Sequence, residues 1–353
     1  MKKVLVWGLT NNRAGTEAVI VNYASRVENV SFDFLCYEEP LSHWEKLNKN
    51  GNRYFVIPSK IKNPFAYYPA LSCFMKDHAG EYDVFWFNVN DAANIDPLKY
   101  AVQYAIPKRI VHMHNSQLSD SPLTRFFHGL NYKKLCSLGT DYWACSEAAA
   151  LFLGDVAGSV RIVPNIVDAE KVRFSTNERN ELRKQFGLDG SFVIGFVGRL
   201  SYQKHPDFLL EIMPSILEKN PLAQLVFVGE GDLKSALEET RETLGLQDKV
   251  HFVGSQENIQ GFLSAFDVYA QPSRYEGLSL SILEAQFNGL PCVVSDALAQ
   301  ECDITTGIQH VPVTDRQTWI DALLQGDRSA VKLLLRSCTY DASTATQEIE
   351  NLF

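Results

Sequence analysis

The stretch "GFVGRLSYQKHPDFLLEI" (residues 195–212) decides the fold. An apolar run ends in Gly198, Arg199 and Lys204 follow in a polar turn, and Pro206 then opens a segment with apolar residues at helical spacing. Proline suits the first helical turn because its missing N–H is not needed there and its φ is already set. A buried strand, a glycine turn and a helix form the repeating unit of a parallel sheet covered by helices. The turn also carries chemistry. Two cations beside a helix N-terminus, whose first N–H groups point outward, make a site for a diphosphate. Arg199 can grip two oxygens at once, and Lys204 supplies a compact point charge.

The same unit recurs in both directions. In the second half, strands are expected at 192–198, 224–229, 250–254, 266–273 and 291–296, separated by helical patterns at 205–219, 232–244 and 279–289. In the first half, strands are expected at 4–10, 30–37, 53–58, 82–89, 109–114 and 141–146, with helices such as 15–27 and 122–138 between them. Three of the later strands end in glycine (Gly198, Gly229, Gly254), where ligands of doubly wound sheets approach the backbone. The expected architecture is α/β: two doubly wound, Rossmann-like domains facing across a cleft. The pattern loosens over 163–181, which places the domains at 1–168 and 169–339. A last helix, "TATQEIENLF", within the 340–353 tail, packs back on the first domain or stays with the second.

Composition fits this picture and excludes others. With 353 residues, 46% apolar and 21% charged, the chain has material for two ordinary cores. No apolar run is long enough for a transmembrane helix. The N-terminal "MKKVLVWGLTNN" reads as a buried first strand, since its apolar run is short and no small-residue cleavage site follows. Seven scattered cysteines without a C-x-x-C pair indicate reduced thiols and a cytoplasmic protein. The net charge of −9 argues against nucleic acid as a partner. It is uneven: residues 1–168 hold 17 Lys and Arg against 16 Asp and Glu, the remainder 16 against 26. Only the first half can approach an anionic surface without repulsion. Neither G-x-x-x-x-G-K-[ST] nor an opening G-x-G-x-x-G occurs, which counts against a P-loop NTPase and a dinucleotide enzyme.

A second stretch, "PSRYEGLSLSILEA" (272–285), carries two carboxylates in an apolar setting. It reads as strand, turn and helix, the helix closed by Gly289. Glu276 falls in the turn beyond the strand end, beside the N–H groups of Gly277, Leu278 and Ser279. Glu284 lies only about 40° from Leu280 and about 60° from Phe287 around the helix, so it borders the apolar stripe. Its side chain leans back toward the helix N-terminus and Glu276. Carboxylates placed to accept hydrogen bonds from hydroxyls are what sugar recognition requires.

With the E-x7-E spacing of Glu276 and Glu284, "GRLSYQK" about 75 residues upstream and "VHFVGSQENI" (250–259) between them, the chain resembles the retaining GT-B glycosyltransferases of family GT4, in particular those of bacterial capsule and exopolysaccharide synthesis. The resemblance is nearly continuous over residues 160–300 and looser in the first half, through the opening loop and "VHMHNS". It implies an enzyme that moves a sugar from a nucleoside-diphosphate donor, expected to be UDP-linked, to a glycan or lipid-linked acceptor, without a divalent metal or other cofactor. The first domain would bind the acceptor and the second the donor. Glu284 would hold the ribose hydroxyls and Glu276 the donor sugar, beside the backbone of Gly277, Leu278 and Ser279. Arg199 and Lys204, following Gly198, would neutralise the diphosphate and the charge that develops on it as the glycosidic bond breaks. Backbone near Val253 and Gly254 would meet the base. In the first domain, Gly15 of "NNRAGTE" (11–17) would approach the phosphates and His114 the donor sugar. Three positions depart from the family pattern: Ala14, Ser279 and Ile166 stand where glycine is usual.

His112 and His114 form an H-x-H pair on one strand face, but no third metal ligand lies nearby in sequence. His112 reads as a core histidine and His114 as the site residue. The segment "LTRFFHGLNYKKLC" (123–136) mixes cations with aromatics. It is either a sheet-covering helix with a polar outer face or a helix that touches an anionic membrane at its inner face. Two other functions compete with the main one: a catalytically silent GT-B subunit, which intact Arg199, Lys204, Glu276 and Glu284 disfavour, and a nucleotide-sugar epimerase, which needs further acids and bases around the sugar.

Overall fold

The computed structural model describes residues 1–11, 15–118, 121–156, 158–345 and 352–353. The chain divides into two compact units, Met1–Ile166 with Ala342–Phe353, and Val167–Asp341. The expected helix over 344–353 lies largely outside the described residues. Phe353 is buried in the first unit, its ring against Phe32, Trp86 and Trp143.

The first unit holds seven parallel strands: β1 (Lys2–Trp7), β2 (Val30–Cys36), β3 (Arg53–Val56), β4 (Val84–Val89), β5 (Lys108–Met113), β6 (Asp141–Ala144) and β7 (Val160–Ile162). Their spatial order is β3-β2-β1-β4-β5-β6-β7. The N-terminal run is indeed the buried strand: Val4, Leu5 and Val6 expose nothing. β4 is buried along its whole length, as a strand covered on both faces must be. Helix Pro122–Leu138 matches the expected span, with Ser121 as its cap.

The second unit has six parallel strands: β8 (Phe192–Val197), β9 (Ala223–Val228), β10 (Val250–Phe252), β11 (Val268–Gln271), β12 (Cys292–Ser295) and β13 (Ile308–Val311), in the order β10-β9-β8-β11-β12-β13. Its core is the apolar face of helix Asp207–Lys219 (Phe208, Leu209, Ile212, Met213, Ile216) packed on Phe196, Leu225 and Phe227 of the sheet. The helix starts at Asp207, with Pro206 as its cap residue rather than inside it.

Sequence pattern missed two strands, β7 and β13. Both are sheet edges, and neither shows the continuous apolar run of a central strand: β7 is three residues long with Arg161 and Ile162 exposed, and β13 reads Ile-Gln-His-Val.

In each unit the strand order reverses once, between β1 and β4 and between β8 and β11. Loops that leave adjacent strands in opposite directions open a crevice beyond the carboxyl ends at this point. Backbone approaches closely there. A Cβ on Gly229 would stand 2.0 Å from the carbonyl oxygen of Gly198, and one on Gly8 2.7 Å from that of Asn88, so neither position admits a side chain. All seven cysteines are free thiols.

Candidate functional site

The residues singled out in the second unit gather at its switch point. Arg199 and Lys204 lie in the loop leaving β8, and Glu276 in the loop leaving β11, the neighbouring strand. Lys204 Nζ is 2.7 Å from Glu276 Oε1, with both side chains largely buried. The two loops are joined further. The Arg274 N–H donates to the Gln203 carbonyl at 2.8 Å, Gln203 Nε2 to the Tyr275 carbonyl at 3.1 Å, and the Arg274 guanidinium lies 4.4 Å from the Tyr202 ring centroid. His205, between Lys204 and Pro206, holds a left-handed φ of +52°, which a non-glycine residue adopts only where its surroundings enforce it. Arg199 is exposed, and its guanidinium has no hydrogen-bond or ion-pair partner among the described residues.

Beneath the pair lies a fully buried amide, Gln271, at the end of β11. Its Nε2 donates to Ser279 Oγ (3.0 Å), Ser273 Oγ (3.1 Å) and Glu276 Oε1 (3.3 Å), and its Oε1 accepts from the hydroxyls of Tyr269 (2.6 Å) and Ser281 (3.0 Å). Such a satisfied network fixes the carboxylate of Glu276 in place. Sequence reading missed Gln271; the available signal was an amide closing an otherwise apolar strand. Ser279 stands at the cap position of helix Leu280–Phe287, but its hydroxyl serves the Gln271 network and does not cap. The first-turn N–H groups therefore have no side-chain cap and offer an anion-favouring end.

Glu284 is half-buried on this helix. Its neighbours Ile282, Leu283 and Ala285 are fully buried. Among the described residues its carboxylate has no hydrogen-bond or ion-pair partner, and burial pushes its pKa up to about 7. An unpartnered carboxylate in such surroundings is unfavourable unless a ligand supplies hydroxyl donors. Val253 and Gly254 follow β10; the Gly254 carbonyl accepts from the Gly229 N–H at 2.9 Å, and the Val253 carbonyl from Gln256 Nε2 at 2.6 Å.

In the first unit, Gly15 begins helix Gly15–Ala24 after β1 and is exposed. Residues 12–14 of that loop, Ala14 among them, fall outside the described residues. His114 follows β5. Its Nε2 lies 2.9 Å from Asn88 Oδ1 on β4, and its Nδ1 is buried with no partner among the described residues. Asn88 Nδ2 donates to the carbonyls of Trp7 (3.1 Å) and Trp86 (3.4 Å), which turns Oδ1 toward the histidine. The proton therefore belongs on Nε2, and Nδ1 is left as a bare acceptor. Burial lowers the His114 pKa to about 3, keeping the ring neutral. Asn88 is a second residue the sequence did not announce. His112 is a core histidine that accepts from Trp86 Nε1 at 3.3 Å. Among the described residues, no group of three or more His, Cys, Asp or Glu is placed to hold a metal ion, and no helix is long and apolar enough to cross a membrane.

Two doubly wound parallel sheets, each with its loops at the switch point, make the fold of the GT-B glycosyltransferases. The structure of Anabaena HepE in complex with UDP-glucose superposes with a TM-score of 0.79 over 99% of both chains at 19% identity. Residues 178–313 match the family model described as glycosyl transferases group 1. EpsF of Bacillus subtilis, described as a glycosyltransferase, is 27% identical over 97% of this chain and 94% of its own. A UDP-Gal:alpha-D-GlcNAc-diphosphoundecaprenol alpha-1,3-galactosyltransferase of Escherichia coli is 33% identical over about half of each chain, 51% and 48%. The chain is thus similar to the group 1 glycosyltransferases over residues 178–313, and to EpsF over nearly its whole length.

Proposed function

We propose that this protein is a retaining glycosyltransferase of polysaccharide biosynthesis that takes its sugar from a UDP-linked donor and passes it to a glycan or lipid-linked acceptor. The observation that carries this reading is the switch-point constellation of the second unit: Lys204 against Glu276, with the unpartnered Glu284 two helical turns further on. Phosphate, sugar hydroxyls and ribose hydroxyls are the ligand groups these three residues fit. The names of the relatives support the donor class, since HepE is described with UDP-glucose and the Escherichia coli enzyme as using UDP-Gal.

In this reading the diphosphate draws Lys204 away from Glu276 and recruits the free guanidinium of Arg199. Both cations then face the charge that grows on the leaving diphosphate, where preorganised charge lowers the barrier. Positive charge is assigned to these side chains rather than to a metal ion. Glu276, released from Lys204 but held by Gln271, accepts from hydroxyls of the donor sugar. Glu284 accepts from the ribose, and the uncapped N–H groups at the start of helix Leu280–Phe287 face the ligand. Backbone near Val253 and Gly254 meets the base. On the first unit, Gly15 is assigned to the phosphates and His114 Nδ1 to a sugar hydroxyl. Retention at the anomeric carbon is taken from the likeness to family GT4.

A thermal-shift panel of nucleotides and nucleotide sugars tests this reading. Stabilisation by UDP and by at least one UDP-sugar is expected. No shift with any uridine nucleotide, or a shift confined to adenine or guanine nucleotides, would reject the donor assignment.

A further inference from the structure

Helix Pro122–Leu138 uses little of its surface to cover the sheet: only His128, Leu135 and Cys136 are buried. At about 100° per residue these three span an arc of about 100°. The opposite arc, of about the same width, carries Leu123, Phe126, Phe127 and Leu130, which expose 66%, 62%, 41% and 59% of their surface. The outer face is therefore apolar, which removes the expectation of an ordinary sheet-covering helix with a polar outside. Lys133 and Lys134 continue this face toward the helix C-terminus; both are exposed and have no ion-pair partner among the described residues. The helix contains no Asp or Glu.

A contiguous exposed apolar face marks a contact surface, and its charges say what it contacts. Lysines on the same face as the apolar stripe can bury their stems while keeping the ammonium in a polar layer. A protein core offers no such layer, whereas an anionic bilayer offers both: acyl chains below and phosphates at the level of the ammonium groups. We propose that helix Pro122–Leu138 docks this protein on an anionic lipid surface. Leu123, Phe126, Phe127 and Leu130 enter the headgroup–acyl boundary, and Lys133 and Lys134 meet lipid phosphates. The proposal stands on this helix alone and does not depend on the donor assignment.

The test is sedimentation of the full chain with vesicles of phosphatidylcholine alone and of phosphatidylcholine mixed with phosphatidylglycerol. Binding to the mixed vesicles is expected, and to the neutral ones far less. Lys133→Gln with Lys134→Gln should lower partitioning about fivefold per lysine, and Phe126→Ser with Leu130→Ser should abolish it. All four side chains face solvent, so thermal melting should be unchanged, and a shared loss of binding and of folding would not be mistaken for support. Absence of binding to the mixed vesicles, or equal binding by wild type and the serine variant, would overturn the proposal. So would a stable dimer in light scattering that the serine variant dissolves, since the stripe would then be an interface between two copies.

Discussion

Lys204 Nζ lies 2.7 Å from Glu276 Oε1, so the two residues assigned to different parts of one ligand hold each other when none is bound. The pair gives the loops after β8 and β11 a common charge centre and leaves each group one exchange away from its ligand partner. It also means that neither residue can be removed without disturbing the other.

Replacing Lys204 therefore has two separable effects. Lys204→Ala should reduce turnover by about 10²–10³-fold through lost charge at the diphosphate. It should also destabilise the fold by about 1–3 kcal/mol, because the mostly buried Glu276 loses its cation. Adding Glu276→Gln should restore stability in denaturant titrations without restoring turnover. Recovery of both together would show that Lys204 is structural.

Glu284 sets opposite trends in stability and binding. Its folded-state pKa, about 7, lies above that of an unfolded glutamate. Below the unfolded value the carboxyl is neutral in both states and costs nothing. As pH rises through the folded value the burial of its charge costs stability, on the order of 2 kcal/mol once fully ionised. Glu284→Gln should melt like wild type near pH 4 and above it near about pH 8. The same variant should bind UDP more weakly at the higher pH. A melting difference that is constant with pH would contradict the burial of this carboxylate.

Asn88 determines which nitrogen of His114 carries the proton. Nitrogen NMR of the histidine rings should find His114 neutral and protonated on Nε2 throughout the range about pH 5 to 8, where an ordinary histidine titrates. Asn88→Ala should mix the tautomers and lower kcat/KM without moving its pH limits. An Nδ1-protonated ring in the wild-type protein would refute the assignment.

Removing the amide of Gln271 should be costly, because four hydroxyls and Glu276 depend on it. Gln271→Leu should lose about 2–4 kcal/mol in denaturant unfolding. Gln271→Glu should fare no better, since it sets a second carboxylate against Glu276. A loss below about 1 kcal/mol in either variant would mean that the network does not hold the turn.

Central strands were legible in the sequence because burial on both faces leaves an unbroken apolar run, as in β4 and β8. Edge strands β7 and β13 were not, unlike the edges β3 and β10, because β7 is three residues long and mostly exposed and β13 carries Gln309 and His310 at its centre. Arg199, Lys204, Glu276 and Glu284 stood out as charges in glycine-rich or apolar surroundings. Their mutual arrangement did not: the Lys204–Glu276 contact joins residues that only the β8–β11 adjacency brings together. Gln271 and Asn88 stayed hidden because a buried amide has no charge and no periodicity, and its worth lies in partners distant in sequence. The outer face of helix Pro122–Leu138 was ambiguous for a related reason. Periodicity locates an apolar stripe but does not say whether a sheet or solvent lies against it.

The most direct test of the central claim is a calorimetric titration of UDP into wild type, Lys204→Ala and Glu284→Gln at about pH 8, above the Glu284 pKa. The donor-site account predicts saturable binding to wild type, weakened by about tenfold or more, at about 1.4 kcal/mol per tenfold, in each variant. Equal affinity in all three proteins, or no binding of UDP to wild type, would contradict it.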